Sequence, residues 1–108
     1  MHLAFKTLYD LEHGHILFPS ELIENAKLSN YEYVNFHKSL DGLNVECLCH
    51  LDDGSKVLFT YYFDFEDKLM RLISDDGVYT EVLFDRKLEI QKLREKLTIN
   101  STRNLINN

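Results

Sequence analysis

The sequence predicts a single α+β domain, in which a five-stranded antiparallel β-meander is combined with a short helical N-terminal segment and an amphipathic C-terminal helix. Three Asp-Gly dipeptides, which are a strong signal for β-hairpin turns, separate runs of β-branched, aromatic and leucine residues at Asp41-Gly42, Asp53-Gly54 and Asp76-Gly77. A polar break at Glu66-Asp67-Lys68 divides the longest interval. After Phe84 the apolar residues follow a helical period instead of an alternating one.

The segment before the first strand predicts two short helices. Residues 2–12 fit one face of a helix, although an alternating strand fits nearly as well, and we expect Gly14 to end this helix in the left-handed conformation. Pro19 is suited to open a second helix, which runs to about Leu28. On the second helix, the residues expected to face inward are Leu22, Ile23 and Ala26.

Five strands are predicted at approximately 31–40, 43–51, 55–65, 68–74 and 78–84. Successive side chains point to opposite faces, so the length of each turn decides which face every residue joins. A two-residue loop at Asp41-Gly42 and three-residue loops at 52–54 and 75–77, each with a left-handed glycine, collect the apolar residues on one face. The predicted cross-strand neighbours are Leu40 with Leu43, Phe36 with Cys47, Val34 with Cys49, Val57 with Cys49, Phe59 with Cys47, Met70 with Val82, and Arg71 with Glu81.

The turn lengths define two faces of different character. The core face is predicted to carry Val34, Phe36, Leu40, Leu43, Val45, Cys47, Cys49, Val57, Phe59, Tyr61, Phe63, Met70, Leu72, Val82 and Phe84. The second face carries Tyr33, Leu48, Leu58, Tyr62, Leu69, Ile73, Tyr79 and Leu83 among polar residues. That composition is too apolar for a face wholly in water, so either a partner or an N-terminal element is expected to cover it.

A C-terminal helix is predicted from Asp85 to Leu97, with Ile90, Leu93 and Leu97 as its inward stripe. Leu88 points away from that stripe and is either a lone exposed apolar residue or part of a contact. The domain is therefore expected to cover residues 1–99, followed by a flexible polar tail at 100–108.

The charge distribution argues against nucleic acid as a partner. The net charge is −6; residues 1–84 hold six Lys/Arg against fifteen Asp/Glu, whereas residues 85–108 hold six against three. Binding to phosphates needs a clustered basic face, which this acidic body lacks; imitation of nucleic acid is a less favoured alternative. No apolar stretch approaches the roughly 20 residues of a membrane span, and no signal peptide is recognised. We expect a cytoplasmic protein without membrane association, and the composition suggests a low-GC bacterium or its phage.

The strongest metal-like pattern is Cys47-x-Cys49-His50, with His13 and His15 as possible further ligands. Structural zinc sites usually place paired cysteines on a turn, two to four residues apart. Here the cysteines lie within an apolar alternation, which favours free thiols packed in the core, and the two histidines fit a solvated turn. We expect no metal and no other cofactor, with zinc binding as the third alternative.

Acid–base chemistry has one candidate group on the second face, where His37 is predicted opposite Glu46 and Tyr33 opposite His50. An exposed cross-strand ion pair explains such a group without catalysis, and the sequence offers neither a nucleophile nor an oxyanion site. No catalytic residue is predicted.

The sequence therefore favours a non-enzymatic, cytoplasmic protein-interaction module of an inhibitor, immunity-like or regulatory kind. It would bind a protein partner, or a second copy of the chain as a homo-oligomer, through the second face. The residues predicted to bind are Tyr33, His37, Glu46, Leu48, His50, Leu58, Tyr62, Ile73, Tyr79, Leu83 and Leu88. The alternative is a small-ligand-binding protein or enzyme with a pocket near His37, Glu46 and His50.

Overall fold

The computed structural model describes the backbone of residues 8–106 and the side chains of residues 8–99. In chain order the elements are α1 (Leu8–His13), α2 (Glu21–Asn25), β1 (Tyr31–Ser39), β2 (Gly42–His50), β3 (Lys56–Asp64), β4 (Leu69–Asp75), β5 (Thr80–Asp85) and α3 (Arg86–Ile106). The strands form one sheet in the order β1-β2-β3-β4-β5, and every neighbouring pair is antiparallel. The predicted α+β meander is confirmed.

The N-terminal helices are shorter than predicted, and residues 2–7 of the first lie outside the described part of the chain. Gly14 follows α1, but it is not left-handed as expected. Its backbone N–H donates to Asp10 O at 2.8 Å, and a Cβ at this position would lie 2.7 Å from the same oxygen. On α2 Leu22 is buried as predicted, whereas Ile23 is exposed; Ala26, which follows the shorter helix as its C-cap, is exposed as well.

The first hairpin has the predicted faces but a register that differs by two residues. Ser39 pairs with Gly42, so Leu40 and Asp41 form the loop, Phe36 lies opposite Val45, and Leu40 is 97% exposed instead of in the core. Gly42 belongs to β2 and lies opposite Asp64, where an added Cβ would meet Phe63 O at 2.3 Å. The glycine is needed for this close approach and not for the turn.

Val34 consequently lies opposite Cys47, and a register shift between Tyr31 and Tyr33 places Tyr31 opposite Cys49. Both observed neighbours differ from the predicted ones, in which Phe36 faced Cys47 and Val34 faced Cys49. A two-residue shift keeps the parity of side chains, so each of these residues stays on the predicted face. Phe36 is nevertheless exposed.

The second hairpin confirms the predicted three-residue loop. Cys49 lies opposite Val57 and Cys47 opposite Phe59, and the N–H of Leu51 donates to Ser55 O at 2.8 Å. Gly54 has φ 84°, the left-handed value that this loop requires. Asp53 further stabilises the loop, because its carboxylate accepts the Ser55 N–H at 2.9 Å.

The third hairpin differs from the prediction, because its loop is residues 76–79 and Asp75 pairs with Thr80. The Asp76 carboxylate accepts the N–H groups of Val78 and Tyr79, at 2.9 and 2.8 Å, and so stabilises the longer loop. Ile73 therefore lies opposite Val82. The predicted pairs Met70 with Val82 and Arg71 with Glu81 are wrong.

Two register shifts then return the ends of β4 and β5 to the core. Between β3 and β4, Tyr62 lies opposite Arg71 but Phe63 lies opposite Leu69, so Met70 is the extra residue of a bulge. Leu69 is fully buried in the core, whereas the sequence predicted it on the second face. A second shift places Phe84 opposite Leu72 on the core face and leaves Val82 half exposed on the other.

The core lies between one face of the sheet and the helices. The sheet contributes Val45, Cys47, Tyr61, Phe63, Leu69, Leu72 and Phe84, all buried, and the N-terminal helices contribute Leu11 and Leu22. Ile90 and Leu93 of α3 pack against this cluster as predicted. Burial of a large apolar side chain contributes about 1.5–3 kcal/mol, so this cluster is the main source of stability.

Arg86 is the one buried charged residue among the described side chains, with 2% exposure. Its Nε donates to Leu69 O at 2.8 Å, and its Nη1 donates to Leu11 O at 2.6 Å and to Gly14 O at 3.0 Å. The guanidinium therefore joins the start of β4 to the last turn of α1. A cation is also favourable there because helix C-termini carry partial negative charge.

Helix α3 continues to Ile106, nine residues beyond the predicted end at Leu97. Leu97 is exposed and not inward as predicted, and Leu88 is exposed as well. Arg94 Nη2 donates to Glu12 Oε1 at 2.6 Å, so α3 is linked to α1 at this level. Over residues 8–106 no helix combines the length and the apolar character that a membrane span requires. The mobility of the tail at 100–108 stays a prediction.

Candidate interaction surface

The second face consists of side chains in three rows, and each row crosses all five strands. The first row is Tyr33, Leu48, Leu58, Asp75 and Thr80; the second is Asn35, Glu46, Thr60, Ile73 and Val82; the third is His37, Asn44, Tyr62, Arg71 and Asp85. The rows follow from the observed registers, because directly opposite residues of antiparallel strands point to the same face.

One apolar side chain from each strand lies in the first two rows. We call this set the apolar band: Tyr33, Leu48, Leu58, Ile73 and Val82. Val82 is 50% exposed, and the other four are partly exposed. The described helices place their buried side chains on the opposite face of the sheet, in the core. The band is therefore open to a partner over the described part of the chain.

The structure brings seven of the eleven predicted binding residues into the three rows: Tyr33, His37, Glu46, Leu48, Leu58, Tyr62 and Ile73. His50 lies beyond the first row, opposite Lys56. Tyr79 lies in the β4–β5 loop, Leu83 at the register shift of β5, and Leu88 on α3. Val82, which the sequence placed in the core, takes the second-face position on β5 because the third hairpin has a longer loop.

Polar side chains of the third row contact their neighbours. His37 Nε2 lies 3.3 Å from Glu46 Oε1 of the second row, although His37 is directly opposite Asn44 and not opposite Glu46 as predicted. Arg71 Nε lies 3.9 Å from Asp85 Oδ2, and the Arg71 guanidinium carbon is 5.6 Å from the centre of the Tyr62 ring. A solvated ion pair such as Arg71–Asp85 contributes little to stability, about 0–1 kcal/mol.

A second ionic group lies at the other end of the face. Glu32 Oε1 is 3.0 Å from Lys56 Nζ and 2.7 Å from His50 Nε2. The hydrogen bond from Lys56, and after it that from His50, lowers the pKa of the Glu32 carboxyl below its ordinary value. Tyr33 lies opposite Leu48 and not opposite His50 as predicted, because the register differs by two residues.

The groups considered for acid–base chemistry are not all brought together: His37 contacts Glu46, but His50 lies away from this pair. Glu46 and His50 are four residues apart on β2, which places them about 13 Å apart along the strand. An open pocket of about 590 Å³ lies near the third row, but it is lined by Asn44, Tyr62, Arg71 and other residues that include none of His37, Glu46 and His50. This pocket is therefore not the one predicted near His37, Glu46 and His50.

No family model, curated protein or solved structure resembles the chain significantly. The function must therefore be inferred from the surface itself.

The two thiols are placed in the core. Cys47 and Cys49 are free and buried, whereas His50 is on the other face of β2. Among the described residues, no three His, Cys, Asp or Glu side chains are grouped so that they could hold a metal ion. Burial raises the pKa of Cys47 to about 12, and burial also raises the pKa of Cys49.

We expect both thiols to resist alkylation in the folded protein, because the reactive thiolate is disfavoured and the sulfurs are inaccessible. Iodoacetamide at pH 8 should label them at least 100-fold more slowly than in 6 M urea, as followed by mass spectrometry. The Cys47 thiol ionises at a higher pH in the folded protein than in the unfolded chain. Its ionisation should therefore leave the free energy of unfolding unchanged below about pH 9 and lower it as the pH rises from 9 towards 12. Rapid labelling at full occupancy would contradict the core position.

Proposed function

We propose that the chain is a protein-interaction module that binds a protein through its second face. The apolar band supports this proposal, because it crosses all five strands on the face that the described helices leave open. Exposed apolar residues are common singly, but a contiguous set framed by polar residues is typical of an interaction site.

The size of the face also supports the proposal. Five strands spaced about 4.8 Å apart, with three rows and their flanking residues spanning about 25 Å, present roughly 600 Å². A standard interface buries about 800 Å² on each partner, so the face with its adjoining loops is large enough for a specific complex.

Binding through such a face requires no catalytic residues. We therefore propose a non-enzymatic role as an inhibitor, an immunity-like protein or a regulatory accessory. We place it in the cytoplasm of a bacterium or of a phage-infected cell, on the composition given above. A second copy of the chain is the other occupant to test, since a homodimer would cover the same face.

The test is a single charge in the apolar band. Ile73→Asp should reduce binding to the partner at least 100-fold, because a carboxylate would be desolvated at the centre of the interface. Leu40→Asp is the matched control: it introduces the same charge at a 97% exposed turn residue and should change binding less than twofold. Partners are captured on the immobilised protein from a lysate of the source organism, identified by mass spectrometry, and measured again as purified proteins.

Self-association is measured in parallel by sedimentation velocity, with circular dichroism to establish that each variant is folded. Loss of a partner or of a dimer in Ile73→Asp but not in Leu40→Asp would support the proposal. A monomer whose partners bind both variants equally would show that the second face is not the binding surface.

A further inference from the structure

One end of the sheet carries the larger net negative charge around the second face. Antiparallel pairing places the start of β1, the β2–β3 turn and the β4–β5 loop at this end. We call it the acidic end: residues 30–32, 50–56 and 75–80, which hold five carboxylates and one lysine, giving −4. The carboxylates are Glu32, Asp52, Asp53, Asp75 and Asp76.

The opposite end is less acidic. Residues 38–42, 64–69 and 85–87 hold five carboxylates and three lysines, giving −2, besides Arg86, which is buried in the core. The second face is therefore more acidic at one end than at the other.

Two carboxylates of the acidic end, Asp53 and Asp76, accept hydrogen bonds within their own turns. Asp53 accepts the Ser55 hydroxyl at 2.6 Å and the Ser55 N–H at 2.9 Å, which together lower the pKa of Asp53. The N–H groups of Tyr79 and Val78 lower the pKa of Asp76 in the same way. Hydrogen bonds to a carboxylate favour its charged form, so these charges persist at neutral pH.

Exposed apolar side chains lie between these charges. Val78 is 79% exposed and Tyr79 is 76% exposed, and Leu51 is exposed in the β2–β3 turn. The Asp76 hydrogen bonds order the loop that carries Val78 and Tyr79. Binding of a partner to these side chains therefore costs little further conformational entropy of the loop. The first row, with Tyr33, Leu48 and Leu58, lies next to this end. The loop therefore adds exposed apolar side chains beside the end of the first row.

The charge distribution argues against a second copy as the occupant. A two-fold axis parallel to the strands would bring the two acidic ends together, at −4 against −4. An axis perpendicular to the strands would set each acidic end against the less acidic end, which also carries net negative charge. Like charges across an interface disfavour association, whereas opposite potentials accelerate association and fix orientation.

We infer that the occupant of the second face is a basic protein, in which lysine or arginine side chains flank an apolar patch. Its cations meet the acidic end, and its apolar patch covers the apolar band with Val78 and Tyr79. This inference rests on the proposed function, since it assigns the chemistry of the partner that the second face binds.

The first experiment uses two defined probes of equal apolar content, an eight-residue alternating Leu-Lys peptide and an alternating Leu-Glu peptide. We expect the Leu-Lys peptide to bind at least tenfold more tightly at 50 mM salt, with NMR amide shifts on the second face and the acidic end. Equal affinity for the two peptides, or shifts confined to other surfaces, would overturn the inference.

Two matched variants separate local charge from overall charge. The quadruple variant Asp52→Asn, Asp53→Asn, Asp75→Asn and Asp76→Asn removes four charges but keeps oxygen acceptors for the turn N–H groups. The control removes four carboxylates elsewhere, of which three are exposed and Glu89 is partly exposed: Asp41→Asn, Glu66→Gln, Glu89→Gln and Glu95→Gln. We expect at least a tenfold loss of Leu-Lys affinity in the first and less than threefold in the second. Equal losses would overturn the inference, because overall charge would then be sufficient.

The captured partner provides the decisive measurement, because it separates the failure of this inference from the failure of the proposed function. A partner that binds the wild type but not Ile73→Asp, has a basic docking surface and loses affinity in the acidic-end variant supports both. A neutral or acidic partner, or a homodimer, that is lost in Ile73→Asp keeps the proposed function and overturns the inference. Binding that is indifferent to Ile73→Asp overturns both.

Discussion

Replacement of Arg86 by methionine is expected to lower the free energy of unfolding by about 3 kcal/mol, because buried backbone carbonyls then lose their hydrogen-bond donor. The guanidinium donates to Leu69 O, Leu11 O and Gly14 O at 2.6–3.0 Å. Leu69 O belongs to the start of β4 and Leu11 O to the last turn of α1, so these two oxygens cannot turn towards water without loss of either element.

An opposing effect limits the size of this loss. Arg86 is 2% exposed, and this burial lowers the pKa of its guanidinium, with a smaller opposing influence from Asp64. Replacing a buried charge by an apolar group of similar length removes that cost and can even stabilise a protein. Here several carbonyl groups depend on one side chain, so we expect the lost hydrogen bonds to outweigh the relief.

Two further variants make the measurement specific. Arg86→Lys keeps the charge but lacks the planar fork that reaches both β4 and α1, so it should lose an intermediate amount. Lys87→Met changes the exposed neighbouring residue and should cost less than about 0.5 kcal/mol. Urea unfolding followed by circular dichroism gives the free energies, and hydrogen exchange should show faster exchange of α1 amides in Arg86→Met. Equal stability of Arg86→Met and Lys87→Met would refute the role of the guanidinium.

The sequence was sufficient to predict which face of the sheet each side chain of the first three strands occupies. Much of the interaction surface could be predicted for this reason. Tyr33, Leu48 and Leu58 occupy the second face because alternation is preserved by the observed two-residue shift of β1. Register was not predictable at that hairpin. The Asp-Gly signal placed the glycine in the turn, whereas Gly42 is a strand residue whose missing Cβ admits the backbone of β3.

The fourth and fifth strands were predicted less well because bulges and a side-chain cap decide their faces. Met70 is an extra residue that turns Leu69 into the core, and no local pattern marks it. Asp76 stabilises a four-residue loop, which moves Val82 to the second face. Both effects depend on hydrogen bonds within a particular backbone geometry, and alternation alone does not encode them.

Arg86 was not predicted, since composition does not distinguish one buried arginine from several exposed ones. One local signal was present. Strand β5 ends at Asp85 and α3 begins at Arg86 without a linker, and the Asp85 carboxylate accepts the Leu88 N–H at 3.2 Å as an N-cap. The first side chain of the helix is then at the edge of the core.

Replacement of Gly42 by alanine should cost at least about 3 kcal/mol, because it combines an unfavourable backbone conformation with a steric clash. Gly42 has φ 150°, and an added Cβ would lie 2.3 Å from Phe63 O and 2.6 Å from Asp64 C. Both atoms are backbone of the paired strand, so no side-chain rotation can relieve the contact.

Gly54→Ala is the matched control, because Gly54 has φ 84° but no atom within 4 Å of an added Cβ. It should cost only about 1 kcal/mol, the conformational penalty of a left-handed alanine. A slip of β1 cannot relieve Gly42→Ala, since the clash lies between β2 and β3. Relief requires opening of the Gly42–Asp64 pair, and Asp64 also accepts the Glu66 and Lys68 N–H groups of the next turn. Hydrogen exchange should therefore accelerate at residues 64–68 in Gly42→Ala and not in Gly54→Ala, and equal losses of stability in the two variants would mean that the close approach of the strands is not what requires glycine.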